Sequence, residues 1–205
     1  MKPRFSCDLY QIDDFSDSPE LFVDLSGEDS FSICAVHNLD DSYGIFEEYE
    51  VMSYNKYDAS HIIIPLSIEY AGAEVSVYGI GLCAFKDHTE LSEVILSQSI
   101  HYIGNHAFSG CLNLRKIHLN QGLRSIDDGA FASCTSLSEI NIPDSVTSIG
   151  SKAFAFCTSL RKISLPPHLE HIDLDAFIGC HDLTIEINAD LFSSLLKTEK
   201  ESDQA

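Results

Sequence analysis

Positive charge is what this sequence has least of. Twelve lysines and arginines stand against 32 aspartates and glutamates in 205 residues, a formal net charge of −20. Phosphate binding needs a basic stripe, so nucleic acid is not an expected partner. The imbalance is local. Residues 1–60 hold 14 acidic and 3 basic side chains, a net of −11, whereas residues 94–188 hold 9 and 6, a net of −3. Acidity of that kind keeps an exposed segment soluble, or steers a basic protein toward it. Long apolar runs are also missing: no window approaches the ~20 apolar residues of a membrane span. In "MKPRFSCDLYQIDDF" no uninterrupted apolar run precedes the acids, so the N-terminus does not read as a secretory signal. The location expected from the residues alone is cytoplasmic. No Cys-x-x-Cys occurs among the seven cysteines, which excludes the usual zinc-ligand spacing, and the odd total suits a reducing compartment.

What the chain does have is a period. Phe85, Phe108, Phe131, Phe154 and Phe177 lie 23 residues apart, each after an alanine. Ile80, Ile103, Ile126, Ile149 and Ile172 make a second column, and Leu91, Leu114, Leu137, Leu160 and Leu183 a third. Two more, Val94/Ile117/Ile140/Ile163 and Leu96/Leu119/Ile142/Leu165, alternate apolar with polar as a half-buried strand requires. A fixed period of this length signals a solenoid whose units bury their apolar face only against neighbours. Leu-x-x-Ile-x-Ile, as in Leu137, Ile140 and Ile142, is the strand half of a leucine-rich repeat. The spacing predicts parallel strands at residues 94–96, 117–119, 140–142 and 163–165. The Ile-Gly-x-x-Ala-Phe-x-x-Cys half is too short for a long helix and predicts a turn with about one helical or 3₁₀ turn, its phenylalanine in the core. Gly104 and Gly150, just after the isoleucine column, are expected where positive φ is useful.

Cys111, Cys134, Cys157 and Cys180 form a further column. Stacked coils place equivalent residues ~5 Å apart, but with side chains pointing in parallel into one layer rather than toward each other. His88 takes the slot in the opening repeat, which a required ligand set would not readily tolerate. The column therefore reads as packing. His168, His171 and His181, with Glu170 and Asp173, crowd one repeat, but no histidine pair has the i, i+4 spacing of a metal site on a helix. No Ser/His/Asp set and no phosphate-binding loop stands out. Catalytic, cofactor-binding and metal-binding residues are thus expected to be absent, and the chain is not expected to be an enzyme.

The stretch "LSEINIPDSVTSIGSKAFAFCTSL", Leu137 to Leu160, closely resembles the BspA-type leucine-rich repeats of bacterial and some protozoan surface proteins, and the resemblance covers about residues 31 to 188. His61 to Phe85 is similar to that family's opening repeat, in which a small inserted hairpin separates the "IP" strand from the "I-G-x-x-A-F" half. The resemblance implies a curved solenoid for adhesion or protein recognition, without shared catalytic residues, and an extracellular or cell-surface location.

The chain divides accordingly. Residues 1–30 are an acidic segment, either laid on the first coil or partly disordered. Residues 31–60 read as an N-terminal β-hairpin cap, with strands at Phe31–His37 and Phe46–Tyr54 around the turn signal "NLDDSYG". Residues 61–188 are the leucine-rich repeat solenoid of 23-residue coils, one parallel strand each. Residues 189–205 are a closing cap, with apolar residues at helical spacing over Ala189–Leu196, and a solvated tail. One outward residue per strand gives the row Ile95, His118, Asn141, Ser164, and the flanking row Glu93, Lys116, Glu139, Lys162 alternates in sign. These eight are the candidate binding surface of a non-enzymatic recognition or adhesion module, whose partner is a protein, basic or host-derived. The alternative is an acidic intracellular inhibitor or immunity-type protein that blocks a basic partner.

Overall fold

The computed structural model describes residues 20–25, 29–37, 47–54, 60–70 and 73–187. Strands β1 (Glu20–Leu25), β2 (Asp29–His37) and β3 (Glu47–Tyr54) pair antiparallel in sequence order. The β2–β3 pair matches the hairpin expected from the alternation, and β1 adds a third strand from the acidic segment. The rest of residues 1–28 and the expected cap at 189–196 lie outside the described residues.

β4 (His61–Ile63) opens the solenoid, and β5 (Ser67–Tyr70) and β6 (Ala73–Ile80) form the antiparallel hairpin inserted in the opening repeat. β3 runs parallel to β6, so the N-terminal strands continue directly into the sheet of the solenoid. Most later coils contribute two short strands rather than one. The leucine-rich half supplies β7 (Glu93–Ile95), β9 (Lys116–His118), β12 (Lys162–Ser164) and β14 (Thr184–Glu186). The isoleucine column supplies β8 (Tyr102–Ile103), β10 (Ser125–Ile126), β11 (Ser148–Ile149) and β13 (His171–Ile172). All pair in parallel, residue for residue, at the 23-residue spacing except β4 with β7 and β12 with β14. The first ladder begins one residue earlier than the apolar alternation suggests. Its bonding still reaches the next column, since Leu96 N donates to His118 O at 3.1 Å and Leu165 N to Glu186 O at 2.8 Å. At 140–142 no strand forms, and only Glu139 meets Lys162 in a single parallel bridge.

The third side of each coil is a string of turns, and the described residues contain no helix. Ala107 N bonds Gly104 O, Ser109 N bonds His106 O and Cys111 N bonds Phe108 O, each an i to i−3 closure. Left-handed residues break the string before it becomes a helix. One column runs Cys83, His106, Gly129, Lys152 and the other Asp87, Gly110, Ser133, Phe156, Gly179, all with φ between 54° and 79°. The expectation for Gly104 and Gly150 is thereby corrected: neither has positive φ. They are glycine because the previous coil is too close. A Cβ on Gly104 would sit 2.8 Å from Ile80 O, and one on Gly150 would sit 2.8 Å from Asp128 N.

Side chains inside repeat the same register. Phe85, Phe108, Phe131 and Phe154 are fully buried, and each ring stacks on the next at 4.9–5.5 Å with planes within 11°. Backbone bonds run beneath them: Phe108 N to Ala130 O at 2.8 Å, Phe131 N to Ala153 O at 2.7 Å. The cysteine thiols sit one coil over and donate to phenylalanine carbonyls, Cys134 Sγ to Phe108 O at 3.2 Å and Cys157 Sγ to Phe131 O at 3.1 Å. Cys83, Cys111, Cys134, Cys157 and Cys180 are free. Burial pushes the Cys157 thiol up to about 12 and that of Cys134 well above its ordinary range, because the low-dielectric core penalises the thiolate.

Two outcomes follow from this core. Phe131→Ala and Phe154→Ala should each lower unfolding stability by about 3–5 kcal/mol in denaturant melts, and Phe177→Ala by less, since that ring is only partly buried. Losses below about 1 kcal/mol at both central positions would contradict a stacked core. A thiol reagent should leave Cys134 and Cys157 unmodified in the folded protein and label both after denaturation. Labelling at the same rate in the native protein would show that the column is open to solvent.

Candidate interaction surface

The leucine-rich ladder gives the solenoid one face with a regular outward pattern. The centre residues of β4, β7, β9 and β12, Ile62, Val94, Ile117 and Ile163, are buried, that of the terminal β14, Ile185, is exposed, and the residues either side point outward or lie at the rim. Parallel pairing in register then aligns these outward residues across coils. Glu93 faces Lys116, Ile95 faces His118, and Glu139 faces Lys162. All eight residues singled out in the sequence lie on this face.

Two pairs on the face come from repeats whose spacing is irregular, and the 23-residue frame misses them. His61 and Ile63 stand opposite Glu93 and Ile95 but 32 residues ahead, because the β5–β6 hairpin is inserted between. Thr184 and Glu186 stand opposite Lys162 and Ser164 only 22 residues on, because the last repeat is one residue short. The alternation His-Ile-Ile before Pro65, with the same apolar centre as Glu-Val-Ile, was the available signal.

Charges on the face do not pair along the expected row. Glu93 accepts a hydrogen bond from His118 Nε2 at 2.8 Å, while His61 Nε2 lies 3.6 Å from its other oxygen. This hydrogen bond, with Lys116 nearby, holds the Glu93 carboxyl below its usual range. Lys162 turns to Glu186 at 2.9 Å, and Ser164 donates to the same carboxylate at 3.0 Å, which lowers Glu186 likewise. Lys116 and Glu139, the middle two of the row, make no salt bridge among the described residues.

Those two residues flank a break in the ladder. β4, β7 and β9 form one sheet and β12 with β14 another, and residues 139–142 join neither beyond the one bridge. Between β9 and residues 139–144 the surface opens into a cavity of about 430 Å³. Ile117, Ile140 and Ile142 are its buried floor, and Lys116, His118, Glu139, Asn141 and Asp144 its polar rim. On either side of it in sequence the two coils are bonded directly: Thr135 Oγ1 donates to Leu112 O at 3.3 Å, and Ser145 Oγ to Leu123 O at 2.6 Å. At the corner of the upper wall the buried Asn120 is tied back to the preceding coil, its Nδ2 donating to Ile100 O at 2.9 Å. Nothing in the sequence columns marks this slot, since Ile140 and Ile142 keep the apolar pattern.

Elsewhere the candidate chemistry does not converge. No group of three or more histidines, cysteines, aspartates or glutamates comes together as a metal site among the described residues. His171 meets Asp173 at 3.2 Å instead. No helix among those residues is long and apolar enough to cross a membrane.

Comparison with known proteins matches this geometry. Residues 78–195 match the model of the BspA type leucine rich repeat region, in six copies. Among solved structures, a leucine-rich repeat protein of T. pallidum is 30% identical with a TM-score of 0.63, over 74% of this chain and 67% of that one. A leucine-rich repeat protein of Bacteroides ovatus is 24% identical with a TM-score of 0.63, over 77% of this chain and 40% of the other, which shows the fold alone. A leucine rich cell surface protein of Faecalibacterium prausnitzii is 26% identical with a TM-score of 0.62, over 77% of this chain and 38% of its own length. No curated protein matches the sequence. The stacked phenylalanine column, the parallel leucine-rich ladder and the six matched copies place this chain in the BspA-type leucine-rich repeat family.

Proposed function

We propose that this chain is a non-enzymatic protein-recognition module of the adhesion type, presented at the cell surface, which binds a host-derived protein through the face carrying Ile95, His118, Asn141 and Ser164 and the flanking Glu93, Lys116, Glu139 and Lys162. The observation that carries the reading is the parallel leucine-rich ladder, which, with a break at residues 139–142, sets one outward residue per coil in a row. Solenoids recognise proteins through extended surfaces of that kind. A similar protein from Faecalibacterium prausnitzii bears the description of a cell surface protein, which supports the location.

The inhibitor reading rests on acidity. That acidity is concentrated in residues 1–60, whose side chains lie outside the described ones, and the relatives supply no support for it. It becomes one outcome of the test. The chain and an Asn141→Arg/Ser164→Arg variant, both exposed positions, are immobilised and presented with host surface and secreted proteins at low and high salt. The expected result is a partner retained at high salt by the parent and lost at least tenfold by the variant, with unchanged unfolding temperature. A partner held equally by both proteins, of high pI and released by salt, would overturn the reading in favour of the acidic inhibitor.

A further inference from the structure

The break in the leucine-rich ladder leaves an acceptor without a donor. At each paired junction one amide of a coil donates to a carbonyl of the next: Ile64 N to Ile95 O, Leu96 N to His118 O, Leu165 N to Glu186 O. The equivalent carbonyl of the central coil, Asn141 O, accepts no backbone bond among the described residues, and Asn141 lines the cavity. The core beneath is also less completely covered there. Ile117 and Ile140 each keep 5% of their surface exposed, against 0% for Val94 and 1% for Ile163 in the same column.

Charge around this cavity is one-sided. Lys116 and His118 stand on its β9 wall, but both are engaged with Glu93 on the opposite side of β9. His118 Nε2 donates to that carboxylate at 2.8 Å, and Lys116 helps to hold it below its usual range. On the other wall Glu139 and Asp144 are exposed, and neither makes a salt bridge among the described residues. An apolar floor, two unpaired carboxylates and an unanswered carbonyl together call for a cation carried on an apolar stem.

We propose that this cavity takes an arginine side chain of the protein partner, its methylene stem on the isoleucine floor and its guanidinium donating to the Glu139 and Asp144 carboxylates and to Asn141 O. The assignment rests on the recognition reading above and names the partner's chemistry at the centre of that face. Arginine fits better than lysine because its planar fork carries five donors, enough for several acceptors at once, and is the more weakly hydrated cation. An acidic side chain would meet only acceptors on that wall, and a purely apolar one would leave the carbonyl unanswered. The occupant sits in the open mouth of the depression, so the two coils stay bonded to each other on either side of it, as Thr135 with Leu112 and Ser145 with Leu123 require.

The probe is acetyl-Gly-Arg-Gly-amide, titrated into the full chain at low salt and followed by backbone amide chemical shifts. Saturable shifts at residues 116–121 and 139–144 are expected, with a Kd of about 10 mM or tighter. The citrulline peptide, which keeps the shape and loses the charge, should bind at least fivefold more weakly. A Glu139→Gln/Asp144→Asn variant with unchanged unfolding temperature should lose the arginine peptide by the same factor. Shifts confined to the acidic residues 1–60, equal binding by the citrulline peptide or by the variant, or no saturable shift up to about 50 mM peptide would each overturn the assignment. If the peptide fails while partner binding is still lost in the Asn141→Arg/Ser164→Arg variant, the arginine assignment falls and the recognition face stands. If neither responds, both fall.

Discussion

The rest of the structure depends on the stacking of one phenylalanine ring on the next. A single 23-residue coil has no layer thick enough to enclose an aromatic side chain. Its ring stacks on the rings of adjacent coils, at 4.9–5.5 Å and nearly coplanar. Stacking fixes the rise between coils at about one strand spacing, and every other contact inherits that rise. The thiol of each coil then reaches the phenylalanine carbonyl of its neighbour. At Gly104 and Gly150 the preceding backbone passes within 3 Å of where a Cβ would be, whereas Asp127 and Asp173 occupy the same place in other coils.

Function follows from the same repetition seen from outside. Because the buried centres of the leucine-rich strands are locked in register, the residues beside them become rows without any further specification. The rows differ from coil to coil in chemistry and not in position, which is what a recognition surface needs. The break at residues 139–142 has a physical meaning in this frame. Two sides of the coil carry the stack, so the third is free to leave backbone groups unpaired at little risk to the fold.

Much of this was legible in the sequence, and the part that was not has identifiable causes. The phenylalanine, isoleucine and leucine columns specify the core because burial is a property of single positions repeated. The eight face residues followed from the same arithmetic. The second strand at Ile103, Ile126, Ile149 and Ile172 was hidden because two residues are too few to show alternation. The inserted hairpin and the residue missing after Leu183 were both legible, but they take His61 and Glu186 off the 23-residue count that defines the rows. The sign alternation of the row did not reveal the partners, since side-chain length lets His118 reach Glu93 diagonally and Glu186 draws Lys162 away. The slot leaves no mark at all, because it consists of backbone bonds that do not form, and Ile140 and Ile142 keep their columns regardless.

Native-state hydrogen exchange, resolved by residue, tests most directly the claim that two sides of the coil hold the stack while the third is interrupted. Amides bonded between coils, such as those of Phe108, Phe131, Gly104 and Gly150, should share the highest protection. Protection on the leucine-rich face should be strong at β7 and β12 and fall sharply over residues 140–142. Uniform protection across that face, or a loss of protection along the phenylalanine column, would contradict the account.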